Sequence, residues 1–206
     1  MKLNLKDKVY LVSGSSKGIG KGIALCLLNE GANVIINGRD EKSLLSTFET
    51  FQSNFPSKVL HCLGDINKKD TLSTLKGKLL DKWGKLDGLV CNVGGARQVN
   101  NLDIKAEDWS WHNEKNFFPA VGLVQYFLDL IIKASGSIIF ISSIASVKNV
   151  GAPIPYNVAK GALNIYSSNL AQALGSSGIR VNTILPGNII FEGGNWDNKV
   201  KNNPER

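Results

Sequence analysis

The 206-residue chain has little of what several functional classes require. It contains three cysteines, Cys26, Cys62 and Cys91, and two histidines, His61 and His112. Neither set has the spacing of a structural metal site, and an odd, sparse set of cysteines does not make a disulfide framework. The thiols read as reduced core residues of a cytoplasmic protein, the histidines as structural or surface residues, and no metal is expected. No apolar run approaches the ~18 residues of a membrane span. The opening stretch Met1-Lys-Leu-Asn-Leu-Lys-Asp-Lys8 has no apolar signal-peptide core, so neither membrane association nor secretion is expected. Acidic residues are the minority charge, 17 against 24 lysines and arginines, for a net charge of +7 and a pI near 9.3. A basic balance raises the question of nucleic acid. The cations are scattered, however, with no run longer than Lys68-Lys69, no basic helical stripe and no RNA-binding aromatic signature. A solvated surface that favours a phosphorylated small molecule fits better, and no nucleic-acid partner is expected.

What is present is an ordinary globular composition, 43% hydrophobic and 20% charged, at a length suited to one domain spanning 1–206. Short apolar runs at 9–13, 34–37, 58–63, 86–91, 137–142 and 180–185 read as strands. Between them lie helical patterns from the first glycine-rich loop to residue 30, at 41–54, at 68–83, at 107–133 through Pro119, and from Pro155 to about Leu174. Strands alternating with helices predict a Rossmann-type α/β fold, a doubly wound parallel sheet covered on both faces. In such sheets ligands bind outside the carboxyl ends of the strands, where strand order reverses. The first strand runs there into Gly14-Ser15-Ser16-Lys17-Gly18-Ile19-Gly20, which opens a helix. Its N–H groups and helix dipole suit a pyrophosphate: Gly14 for the tight turn, Gly18 for close approach of the ligand, Gly20 for helix–strand packing.

A second constellation carries the chemistry. Tyr156 and Lys160 are four residues apart, one turn along the same helix face, and Ser143 follows the fifth strand. A free phenol has a pKa of roughly 10 and is a poor base at neutral pH. A neighbouring ammonium favours the phenolate, and a shift of about three units needs roughly 4 kcal/mol of preferential stabilisation. Tyr156 so tuned can exchange a proton with an alcohol or carbonyl oxygen.

Taken together, the glycine spacing Gly14-x-x-x-Gly18-x-Gly20, Tyr156-x-x-x-Lys160, Ser143, Trp109 and Asn116 on the long helix, and Pro186-Gly187 after strand six resemble the short-chain dehydrogenase/reductase family, in its compact single-domain branch. The resemblance covers residues 5 to about 190 and implies catalytic roles for Asn116, Ser143, Tyr156 and Lys160. Tyr156 would be the general acid or base and Lys160 its pKa modifier and a ribose ligand. Ser143 would orient the substrate carbonyl, and Asn116 would hold a relay water. It implies a nicotinamide dinucleotide on the glycine loop, Asp65-Ile66 and Asn92 with Gly94 on the adenine side, and Pro186, Gly187 and Ile189 near the nicotinamide. NAD-specific relatives place an acid at the end of strand two. Here that position reads Asn37-Gly38-Arg39, and Arg39 with Lys17 resembles the pattern that holds a 2′-phosphate, so NADP(H) is expected over NAD(H).

The family usually continues through a further helix and a seventh strand. This sequence stops earlier, so an apparent truncation and six strands are expected, with homo-oligomerisation when full length. Residues 185–206 would be part of a substrate lid, with Phe191, Glu192 and Trp196 as candidate substrate contacts. The implied activity is interconversion of a ketone and a secondary alcohol. A 3-oxoacyl-carrier-protein reductase is one candidate, weakened because Lys133-Ala-Ser-Gly136 and Asn169-Leu-Ala-Gln172 lack the arginines such reductases use to dock an acidic carrier. A polar or sugar-derived ketone is another. The alternative from a different class is a catalytically idle NADP(H) sensor or scaffold.

Overall fold

All four residues of β1, Val9–Val12, are buried, as expected of a strand covered on both faces. Their side chains alternate between two separate cores. Val9 and Leu11 join one cluster and Val12 the other. In this structure, a computed structural model that describes residues 3–202, β1 is followed by α1 (Gly18–Asn29), β2 (Asn33–Gly38), α2 (Glu41–Asn54), β3 (Val59–Leu63), α3 (Lys69–Trp83) and β4 (Gly88–Cys91). The second half comprises α4 (Ala106–Asn116), α5 (Phe118–Lys133), β5 (Ser137–Ile141), α6 (Ile154–Leu174), β6 (Arg180–Ile184) and α7 (Asn195–Asn202). The sheet runs β3-β2-β1-β4-β5-β6 with every pair parallel. Strand order therefore reverses between β1 and β4, which opens a crevice at their carboxyl ends.

One face of the sheet packs α3, α5 and α6 through Leu75, Leu79, Leu123, Phe127 and Leu163; the other packs α1 and α2 through Ala24, Leu28, Leu44 and Phe51. Among the described residues, β6 pairs only with β5 and forms one edge of the sheet. No helix among them is long and apolar enough to cross a membrane.

Two elements differ from the sequence expectation. The helix expected over 107–133 is broken at Phe117, whose φ of −112° and ψ of −60° end α4 before α5 begins. Pro119, in the first turn of α5, has no N–H for the carbonyl of residue 115, and its ring restricts the residue before it. Residues 195–202 form a short, mostly exposed helix that no apolar stripe announces. The lid expected over 185–206 extends past the described residues at 203–206. The Tyr-bearing helix α6 starts at Ile154, with Pro155 in its first turn, where a missing N–H costs nothing.

At the end of the sheet opposite the crevice, Asp87 ties the strand starts together. Its buried carboxylate accepts from Lys8 Nζ at 2.8 Å and Val9 N at 2.9 Å, and pairs with Lys85 Nζ at 3.0 Å. Burial pushes this carboxyl up, but the bonds from Lys8, Val9 and Lys85 outweigh it and hold the pKa below the usual range. A depressed carboxylate contributes stability above its unfolded value of about 3.9, and that contribution is lost as pH falls through the folded value. Asp87→Asn is expected to lower unfolding free energy by about 2 kcal/mol at neutral pH. The loss relative to the parent should shrink towards pH 3 in urea titrations.

Candidate active site

The glycine loop is rigid because other elements hold it. Gly14 and Gly18 both have φ of +59°, the left-handed region in which side chains are strained. A Cβ on Gly20 would run into the Gly14 carbonyl and the Asn92 amide. Ser15 N donates to Asn37 O at 2.8 Å, Asn37 N to Ser15 Oγ at 3.0 Å, and Ser15 Oγ to Val12 O at 2.6 Å. Thr47 Oγ1 on α2 donates to Ser16 O at 2.8 Å. From β4, Asn92 Nδ2 donates to Ser13 O at 3.1 Å and Gly14 O at 2.9 Å, while its N–H donates to Ser13 Oγ at 2.9 Å. Lys17 makes no capping bond and α1 has no acid in its first turn. The helix start is therefore free of competing carboxylates and suited to an anion.

Ser13, Asn37 and Thr47 were not among the expected site residues. Asn37 offered the one usable signal, an amide ending the apolar run Val34-Ile-Ile. Its side chain, 1% exposed, donates to Cys62 O and Gly64 O at 3.0 and 3.1 Å and joins β2 to β3 beneath the loop.

Beside the loop, Arg39 Nη1 lies 3.7 Å from Asp65 Oδ2, with 61% and 28% of the two side chains exposed. Asp65 also accepts from Asn67 N at 3.0 Å. Ile66, expected near adenine, is buried in the core with α3 and α5.

Gly94 marks where Lys160 meets Asn116. A Cβ there would lie 2.8 Å from Lys160 Nζ and 2.9 Å from Asn116 Oδ1. The Asn116 side chain makes three hydrogen bonds. Its Oδ1 accepts from Gly95 N at 3.0 Å, and its Nδ2 donates to Gly95 O at 2.8 Å and His112 O at 2.9 Å. His112 is itself buried, its Nδ1 2.8 Å from the Asp108 carbonyl. Lys160 is 4% exposed and donates to Ile141 O, at the end of β5, at 2.9 Å. Tyr156 is half-buried one turn earlier on the same face of α6. Ser143 starts the short 3-10 turn Ile144–Ser146, its Oγ accepting from Ala145 N at 3.2 Å. Ser142 N to Ile184 O at 2.8 Å and Ile144 N to Pro186 O at 3.0 Å carry the β5–β6 pairing past the strand ends. Ser143 is thereby set beside the Pro186-Gly187 turn. Pro186 and Ile189 also line an apolar groove with Ile19, Ile23 and Ile184.

The expected substrate contacts behave differently. The Phe191 ring lies against Gly18 of the glycine loop. Trp196, on α7, packs under Lys199, whose Nζ is 4.4 Å from the ring centroid, and Glu192 is exposed.

Burial pushes the Lys160 ammonium down to about 8 from 10.5. It is still mainly protonated at neutral pH, so the charge that would favour a phenolate is present in a poorly solvated place. A lysine depressed by folding has a defined pH signature. Between about 8 and 10.5 the unfolded chain binds more protons, so stability rises with pH across that window. Lys160→Met is expected to raise the midpoint of thermal unfolding at pH 7 and to flatten that rise. Scanning calorimetry from pH 7 to 10 checks both.

Comparison with known proteins agrees with this architecture. The short chain dehydrogenase family model matches residues 8–195. The chain is 35% identical over 194 residues to the uncharacterized oxidoreductase YvrD of Bacillus subtilis, covering 94% of this chain and 73% of that protein. It is 34% identical over 186 residues to the 3-oxoacyl-(acyl-carrier-protein) reductase FabG of Chlamydia muridarum, covering 90% and 75%. The crystal structure of L-sorbose reductase from Gluconobacter frateurii, complexed with NADPH and L-sorbose, superposes with a TM-score of 0.87 at 27% identity, covering 98% of this chain and 82% of that one. The chain belongs to the short-chain dehydrogenase/reductase family, nicotinamide-dependent oxidoreductases that act on CH–OH groups.

Proposed function

We propose that this protein is an NADP(H)-dependent reductase of a small polar ketone, running reversibly to the secondary alcohol. The observation that carries the reading is the convergence of the buried Lys160 ammonium and the Asn116 carbonyl oxygen on Gly94, one helical turn from Tyr156. A side chain at residue 94 would fill that space, and glycines 14 and 18 take the left-handed conformation that the turn into α1 requires. These features fit a nicotinamide dinucleotide, which when bound supplies or accepts the hydride.

Tyr156 gives its hydroxyl proton to the substrate oxygen during reduction and takes it back during oxidation. Lys160 favours the phenolate by its charge and hydrogen-bonds the ribose. Ser143 donates a hydrogen bond to the same substrate oxygen, which orients it and stabilises its developing charge. Asn116 fixes the Gly94-Gly95 backbone beside the ammonium and, through a remaining lone pair on Oδ1, holds a relay water. Glycines 14, 18 and 20, with the N–H groups at Ser15, Ser16, Lys17 and Ile19, hold the pyrophosphate. Asn92 and Gly94 flank the dinucleotide, Asp65 and Ile66 lie at its adenine end, and Pro186, Gly187 and Ile189 at its nicotinamide end.

Arg39 and Lys17 supply the preference for a 2′-phosphate. The Arg39–Asp65 pair is long and largely exposed, and such pairs contribute at most about 1 kcal/mol, so Arg39 is free to turn to a phosphate.

A polar ketone is favoured over an acyl carrier substrate because residues 133–136 and 169–172 contain one lysine and no arginine for an acidic partner. The resemblance to an L-sorbose reductase structure supports the same choice. A panel of ketoses, small hydroxyketones and acyl thioesters, followed by NADPH absorbance, tests the reading. Turnover of a ketose or hydroxyketone is expected. Turnover confined to thioesters would move the assignment to the carrier-protein reductases. Tight NADPH binding without turnover of any compound would favour the sensor.

A further inference from the structure

A Cβ placed on Gly18 would lie 2.7 Å from Cζ, 2.8 Å from Cε1 and 3.2 Å from Cε2 of Phe191. The distal edge of the ring therefore rests directly on the glycine whose missing side chain lets a dinucleotide approach α1. Gly194 meets the same ring carbons: a Cβ there would come within 2.9 Å of Cε1 and Cζ. A tight turn sets this grip: Gly194 N donates to Phe191 O at 2.9 Å, Gly193 has φ of +70°, and its N–H donates to Asp197 Oδ2 at 2.9 Å. Phe191 is thus packed against two glycines from distant parts of the chain, and an apolar ring sits at the start of α1, an end that suits an anion.

We propose that Phe191 is a latch: its ring rests on Gly18 where a pyrophosphate would sit, and dinucleotide binding must displace it, moving the segment that leads into α7. The inference rests on the dinucleotide reading above. A phosphate group and a phenyl ring cannot share the space over Gly18, so the latched form does not bind. Apparent affinity falls by the fraction of molecules unlatched. A half-buried phenyl contact holds that fraction at roughly one in ten.

Titration calorimetry and stopped-flow binding of NADPH to the whole chain test this, comparing the parent with Phe191→Ala. The alanine variant is expected to bind NADPH about tenfold more tightly and with a faster association rate. Phe191→Leu, which lacks the ring carbons that meet Gly18, carries the same expectation in direction and guards against local unfolding in the alanine variant. Equal or weaker binding in both variants, with the parent binding normally, overturns the latch and leaves the dinucleotide reading standing. Absence of NADPH and NADH binding in all three proteins overturns that reading, and the latch with it.

Discussion

Replacing Tyr156 by phenylalanine is expected to lower ketone reduction by about 10²- to 10⁴-fold while leaving NADPH affinity within a few fold. The substitution removes one oxygen from a half-buried side chain on α6 and leaves Lys160, Ser143 and the glycine loop in place. The loss should fall on kcat, because in the proposed mechanism the hydroxyl acts on the substrate oxygen during proton transfer. A second variant offers another check. Lys160→Met should lower the same rate, since the buried charge one helical turn from the hydroxyl is gone. Turnover retained by Tyr156→Phe would mean that another group supplies the proton.

The second large effect concerns cofactor choice. The parent is expected to bind NADPH more tightly than NADH, and Arg39→Ala to erase most of that preference, a change of about 10- to 100-fold in the ratio of dissociation constants. Affinity for NADH should hardly change, because Arg39 is 61% exposed and its contact with Asp65 is long. Lys17→Ala should give a smaller loss of the same sign. Equal affinities for the two dinucleotides in the parent would remove the argument from Arg39 altogether.

Much of the fold was legible because buried strands announce themselves. Val34-Ile-Ile and Ile138-Ile-Phe-Ile141 are short apolar runs, and periodicity with turn residues places the helices between them. The break at Phe117 was missed although Pro119 was visible. A proline near a helix start is tolerated, and the sequence does not say whether a helix passes through it or begins again. Helix α7 was invisible because its mostly exposed, polar residues lay down no apolar face.

In the site, spacing alone put Tyr156 and Lys160 on one helix face. The network beneath the glycine loop was not readable. Asn92 to Gly14, Thr47 to Ser16 and Asn37 to Gly64 join residues far apart in sequence, and any of those side chains could equally have faced solvent. Phe191 shows the same limit, since an aromatic residue in a loop does not reveal which glycine it will meet.

Because α4 and α5 are separate rods joined at Phe117, the two are fastened unequally. The second rod is sunk into the core by Leu123, Val124, Phe127 and Ile131, whereas the first one buries only His112 and Asn116. Fewer buried side chains anchor the first rod, so amide hydrogen exchange is expected to run faster along its outer turns than along the second.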